Sequence, residues 1–316
     1  MALIYSENFS RGFRVLEHRL AFLLLPLIIY VFNLNKEGIK KMLPYLAYGT
    51  LFSCVLCNFF QIYEYGEPFF KYAKFLVSPL DIDPTYLGLY IGFTVVFIVD
   101  SISKNWYILV LKILTILYLF IFLFYMGSKI SVLIVSLLLL IKVIRYKPQN
   151  RNLKIVMIAT LIFGFFISFN IPYAQRLFYK PIIKMVSGDS SYLFYDRDII
   201  WNCSIEAIKD SIFLGYGTGD DIDVIKDCLQ LNNFDISRDH NAHNQYLSAL
   251  LRFGILGLLL LAIVFFDLYK KNNSVFTIYF IAIFSVSFLT ESVIDRNKGI
   301  LLFVFVYSLI KIRSLR

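Results

Sequence analysis

The sequence predicts an all-α fold: a polytopic transmembrane helix bundle of about nine spans with one large, mostly helical external loop. Three observations lead there. Hydrophobic residues make up 59% of the 316 positions and charged residues only 17%, where a soluble domain carries charge on about a quarter of its residues. The mean hydropathy is +0.69. Apolar runs of spanning length recur along the chain, and a single long polar stretch, 172–245, interrupts them.

A bilayer core needs roughly 20 residues of helix, and the runs that approach this fall near 19–33, 42–60, 85–102, 106–126, 129–146, 153–171, 246–268, 274–290 and 298–313. The first is short and is read as tilted, re-entrant or the second half of a longer element. Pro26 and Pro44 kink the helices that hold them, which neighbouring helices tolerate in a membrane. The chain divides accordingly into an N-terminal transmembrane bundle (1–171) that lacks upstream spans, an external loop (172–245) and C-terminal transmembrane helices (246–316).

Short basic loops orient the bundle. Between Lys142 and Lys154 stand five cations and no anion, which marks a cytoplasmic connection. By alternation Lys270, Lys271, Lys311, Arg313 and Arg316 lie on the same side, as do Lys36, Lys40 and Lys41, while Glu64, Glu67, Asp81 and Asp83 lie outside. Stretch 172–245 is then external, and its eleven acidic residues against seven basic ones agree with that side. The N-terminus disobeys: an odd span count puts it outside, yet it carries Arg11, Arg14 and Arg19. Either these arginines bind something anionic, or spans are missing upstream, the reading preferred here.

Within the external stretch, Ile199, Ile200, Cys203, Ile205, Ala207, Ile208 and Ile212 recur at helical spacing. A second helical segment covers 220–231, and a third begins near 239 and runs into the span at 246. Cys203 and Cys228 share the stretch, so a disulfide is allowed in an oxidising compartment, whereas Cys54 and Cys57 are packing residues of a span. Ile212-Phe-Leu-Gly-Tyr-Gly-Thr-Gly-Asp220 imitates a nucleotide-binding turn, but that mechanism needs a strand before it and a parallel sheet around it. It is read as a tight turn with positive φ, or as a backbone-amide nest beside an anion.

The strongest chemical signal is His240-Asn-Ala-His-Asn-Gln-Tyr-Leu247, which holds two of the chain's three histidines. Imidazole is the side chain that accepts a proton near neutral pH. His240 and His243, three apart on a helix, also admit a zinc reading with Asp239, though the glutamate of a His-Glu-x-x-His helix is missing. A solvated, structural role for both remains the plain alternative.

The chain resembles the bacterial O-antigen ligase and polysaccharide polymerase family of membrane proteins. Four patches carry the resemblance: Leu16–Leu27, Asp83–Tyr90, the pair formed by Arg197…Trp201 and Gly215–Asp220 followed by Ala242-His-Asn-Gln-Tyr-Leu247, and Leu289–Gly299. It implies an inverting glycosyltransferase that takes a glycan from undecaprenyl pyrophosphate, on the periplasmic face of the bacterial inner membrane, to an acceptor hydroxyl such as that of lipid A-core. It implies no cofactor and no metal. His243 is the implied catalytic residue and Arg197 and Arg296 the implied pyrophosphate ligands.

The residue chemistry fits: an acceptor hydroxyl needs a base, and a leaving pyrophosphate needs cations, for which the forked guanidinium is suited. Supporting roles are assigned to Asn244, Tyr246, Lys129, Glu291 and Arg238. Glu291, with Asp295, orients or neutralises Arg296. Asn244 and Tyr246 fix the histidine tautomer or touch the sugar, Tyr246 being equally an interfacial anchor. Lys129 stands where relatives often have arginine, and Arg252 is an extra cation of open role. The partners are the lipid-linked glycan, its acceptor and membrane lipids, with no nucleic acid. A polymerase would use the same groups. A transporter of lipid-linked or anionic glycans ranks behind, since it predicts midplane charges and internal repeats.

Overall fold

The computed structural model describes residues 2–32, 36–66, 73–101, 105–145, 195–234, 236–237, 239–271 and 274–315, with scattered positions between 146 and 194. Among the described residues every regular element is helical. Helices occupy each apolar run expected above except 153–171, which lies mostly outside the described residues. Three are long and apolar enough to cross a membrane by length and composition: Met42–Tyr65, Trp106–Met126 and Gln245–Lys271. Pro84–Asp100 and Val275–Phe288 are apolar but shorter.

The chain forms two compact units, Glu37–Ser190 and, from both ends of the sequence, Met1–Lys36 with Ser191–Arg316. The first holds most of α3 (Lys36–Tyr65), with α4 (Ala73–Leu76), α5 (Pro84–Asp100), α6 (Trp106–Met126) and α7 (Lys129–Arg145). Asp83 caps α5 through the Thr85 amide, and Pro84 occupies its first turn, where no amide hydrogen is needed. Its core is apolar throughout, with Phe120, Phe122 and Phe124 of α6 packed among Ile91, Val95 and Val135. Cys54 and Cys57 are buried in it as free thiols.

The second unit contains α1 (Phe9–His18), α2 (Ala21–Val31), α8 (Tyr195–Asp210), α9 (Asp221–Leu231), α10 (Gln245–Lys271), α11 (Val275–Phe288), a 3-10 turn at Val293–Asp295 and α12 (Asn297–Leu315). α2 packs along α12, where Phe22 meets Phe303. Phe303 also meets Phe280, Phe284 and Phe288 of α11 and Phe265 of α10, so one aromatic cluster joins these helices. Helices α8 and α9 are linked by the Cys203–Cys228 disulfide, Cα atoms 5.6 Å apart. Their inward faces, Ile200, Cys203, Ile208, Ile225 and Leu229, enclose Ala242 and Leu251.

Helix α10 is broken at Gly254, whose φ of 61° and ψ of −156° leave the helical region. The break exposes carbonyls that a continuous helix would satisfy, and the glycine-rich turn supplies the donors. Tyr216 N–H reaches Leu251 O at 2.7 Å, Gly217 N–H reaches Arg252 O at 3.1 Å, and Ile255 N–H returns to Ile212 O at 2.8 Å. Gly215 and Gly217 both have positive φ, and a side chain at Gly215 would strike the Leu251–Phe253 backbone. The nucleotide-like motif is therefore a backbone splint on a broken helix, and the nest reading gives way because the amides of Tyr216 and Gly217 are already bonded.

The N-terminal segment docks on the end of the same turn. Asp220 accepts from Ser6 Oγ, Glu7 N–H and Asn8 N–H at 2.7 to 2.9 Å, and Arg11 pairs with Asp223 at 2.5 Å. Arg19 pairs with Asp295 at 2.8 Å. Two of the three arginines that disobey the orientation rule thus have partners inside the fold.

Candidate active site

The expected helix from 239 into the span does not form: α10 starts only at Gln245. The side chain of Asn241 accepts the His243 amide at 3.0 Å, and His243 adopts φ 43°, a left-handed conformation uncommon for a residue with Cβ. These local bonds compete with the helix and win. Asn244 then caps α10, its Oδ1 accepting from the Tyr246 and Leu247 amides at 2.9 and 3.2 Å. His240 and His243 consequently share no helical face. His240 packs edge-on against Phe234, 5.4 Å between centroids, and no cluster of three or more His, Cys, Asp or Glu side chains forms among the described residues.

His243 Nδ1 lies 3.3 Å from Glu291 Oε2, and the imidazole is 35% exposed against 13% for the carboxylate. A carboxylate only accepts, so this contact places the proton on Nδ1 and leaves the Nε2 lone pair for a proton from outside. Three further bonds hold the two segments of the site, 241–248 and 289–295, together. Asn244 Nδ2 donates to Leu289 O at 3.2 Å, Gln245 Oε1 accepts the Ile294 amide at 2.8 Å, and Ser248 and Ser292 hydroxyls meet at 2.8 Å in the interior.

Helix α8 grips both segments with one face. Arg197 donates to Thr290 O at 2.8 Å, and Trp201, four residues later, donates from Nε1 to Ala242 O at 3.0 Å. Residues four apart lie on one side of a helix, so Arg197 and Trp201 brace the residues preceding Glu291 and His243. The part of Arg197 not engaged with Thr290 keeps donors for an anion, since a guanidinium carries five.

Beneath this turn lies a buried charge network. Arg252, only 4% exposed, bonds Asp221 at 2.7 Å and Asp295 at 2.5 Å, and Asp295 also receives Arg19. Burial pushes the Asp221 carboxyl upward against the pull of Arg252. Asp295 is as deeply buried, yet two arginines hold it below the ordinary carboxylate range. Arg252, read from sequence as an extra cation beside the histidine, is an internal counter-ion.

The remaining expected residues distribute as follows. Arg296 is exposed at the start of α12, and its carbonyl accepts the Gly299 and Ile300 amides. Neither Glu291 nor Asp295 orients it, because His243 and two arginines engage those carboxylates. Tyr246 donates to Ser285 O at 3.0 Å and packs on Phe288, which uses its hydroxyl to join α10 to α11. Lys129 opens α7 in the other unit and is exposed. Arg238 lies outside the described residues. Sequence reasoning passed over Gln245, Ser248 and Ser292, whose partners are long-range. For Trp201, its four-residue spacing from Arg197 was the available signal.

No curated protein matches the chain. Residues 114–262 match a family model, Wzy_C, described as O-antigen ligase. The match runs from within α6 into α10, so it takes in Lys129, Arg197, Trp201, the glycine-rich turn and His243, and ends before Glu291 and Arg296. Over residues 114–262, just under half of its length, the chain is therefore similar to the O-antigen ligase family, and among the described residues it carries helices long and apolar enough to cross a membrane.

Proposed function

We propose that the protein is a metal-independent, inverting glycosyltransferase of the ligase type, acting at the periplasmic face of the bacterial inner membrane in a bundle of about nine spans. His243 Nε2 takes the proton of an acceptor hydroxyl, such as that of lipid A-core. The freed oxygen attacks the anomeric carbon of a glycan on undecaprenyl pyrophosphate, a new glycosidic C–O bond forms with inversion, and the C–O bond to the pyrophosphate breaks. The departing lipid diphosphate keeps the electron pair, and Arg197 and Arg296 offset its charge. Glu291 holds the imidazole tautomer and stabilises the imidazolium that results, as a carboxylate does in other base-orienting pairs.

The observation that carries this reading is the contact of His243 Nδ1 with Glu291 beside Arg197, with the imidazole accessible. Loss of a general base typically costs about 10²- to 10⁴-fold in rate and loss of one donor to the developing charge about 10²- to 10³-fold, so His243→Ala and Arg197→Ala are each expected to abolish detectable glycan attachment at normal protein level. Full activity in His243→Ala refutes the mechanism. A polymerase uses the same chemistry with another lipid-linked repeat as acceptor. The glycolipid gel of a deletion strain separates the two: core without glycan means ligase, and core with one repeat means polymerase.

A further inference from the structure

Helix α1 is amphipathic in an unusual way for a protein interior. Its inner side, Asn8, Gly12 and Arg19, meets Gly219, Asp220, Asp223 and Asp295. Its apolar residues do not face that way. Phe9, Phe13 and Leu16 are each 50% to 57% exposed and at 3.6 residues per turn fall within an arc of about 60°, and Leu20, just past the end of the helix, is 46% exposed. Phe9 and Phe13 stack on each other, centroids 6.5 Å apart. A fold that wanted only to anchor α1 through its polar side would place soluble residues on this edge.

A second element carries the same signature. Phe213 and Leu214 are 75% and 60% exposed on the turn that splints α10, and Tyr5, just before α1, donates to Leu214 O at 2.7 Å. The turn is bonded to Ile255, the first residue of the α10 segment whose Leu256, Leu259, Leu260 and Ile263 form an exposed apolar stripe. That segment lies in a helix long and apolar enough to span a bilayer. Phe213 and Leu214 therefore sit where a spanning stripe begins, and α1 is tied to that level at both ends, by Tyr5 to Leu214 and by Arg19, whose guanidinium lies 5.7 Å over the Phe253 ring.

We infer that α1 is an in-plane membrane anchor, with Phe9, Phe13, Leu16 and Leu20, together with Phe213 and Leu214, seated at the boundary between headgroups and acyl chains on the His243 side. The partner is the lipid surface itself, and apolar area of this kind sinks about 5–10 Å into that boundary. The inference rests on α10 crossing the bilayer and is independent of the transferase chemistry.

The test places nitroxide labels on Leu16→Cys, Phe13→Cys and Arg14→Cys in a Cys54→Ala/Cys57→Ala background. The full chain is reconstituted in vesicles of phosphatidylethanolamine and phosphatidylglycerol. Collision with oxygen, which concentrates in acyl chains, is compared with collision with a water-soluble nickel chelate. The oxygen-to-nickel ratio is expected to be several-fold higher at positions 13 and 16 than at 14. A water-like ratio at all three overturns the inference. Protection of 13 and 16 from both reagents also overturns it, since it would mean that another protein surface covers the edge.

Discussion

Replacing Arg252 by leucine removes a buried cation that two carboxylates share. The guanidinium is 4% exposed, with Asp221 at 2.7 Å and Asp295 at 2.5 Å. Asp221 Oδ1 and Asp295 Oδ2 have no donor among the described residues, so each carboxylate depends on its arginine. After the substitution Asp295 keeps Arg19, but Asp221 is left buried without its bonded cation, with Arg19 acting on it only at a distance. Breaking a buried pair by removing one partner costs about 3–5 kcal/mol. At about 2 °C per kcal/mol for a chain of this size, the unfolding midpoint in detergent should fall by roughly 6–10 °C. The double variant Arg252→Leu/Asp221→Leu removes both charges and should recover most of that loss, because a buried ion pair replaced by apolar groups is often close to neutral. Thermal unfolding of the single and double variants closes a double-mutant cycle. A single variant as stable as the parent, or a double variant no better than the worse single one, would refute the assignment of Arg252 as a structural counter-ion.

Two further outcomes follow from the same unit. The disulfide closes a loop with 25 residues of separation, which in the chain-entropy picture contributes about 3.5 kcal/mol. Cys203→Ser/Cys228→Ser should therefore lower the midpoint by more than reductant alters the double variant, and an unchanged midpoint in reductant for the parent chain would contradict the bridge. Asp295 is lowered despite burial, by Arg252 and Arg19. Its stabilisation is thus present above the unfolded carboxyl value of about 3.9 and lost as pH falls through the lower folded value. Asp295→Asn should flatten the acid limb of the stability profile, and an acid limb as steep as that of the parent would count against it.

The helices were legible because sustained hydrophobicity is a local property, and each long apolar run carries it independently of its neighbours. His243 was legible for a chemical reason, as an imidazole in the polar stretch within a recognisable motif. Its backbone was not: the expected helix through 240–244 yields to the Asn241 and Asn244 side chains, whose competition with helical bonds depends on geometry rather than composition. Glu291 could be selected by charge, but its partnership with His243 spans 48 positions and only the fold reveals it. Arg252 looked like one more cation near the site, since sequence does not show that Asp221 and Asp295 converge on it. The glycine-rich turn was legible as a tight turn with positive φ, yet its actual partner, the broken turn of α10, left only Gly254 as a trace.

The break at Gly254 also bears on the bilayer around the protein. Beyond it, Ile255–Lys271 is a continuous helix whose length at 1.5 Å per residue is about 25 Å, below the roughly 30 Å of a typical hydrocarbon core. The neighbouring apolar helix Val275–Phe288 has 14 residues and is shorter still. A bilayer crossed by an upright pair of this length would have to thin locally, or flanking side chains such as Lys270 and Lys271 would have to snorkel, to meet it. Acyl-chain length then becomes a variable that acts on the site from outside: a thinner leaflet would shorten the distance between the lipid-borne groups and the histidine just ahead of the first turn of α10.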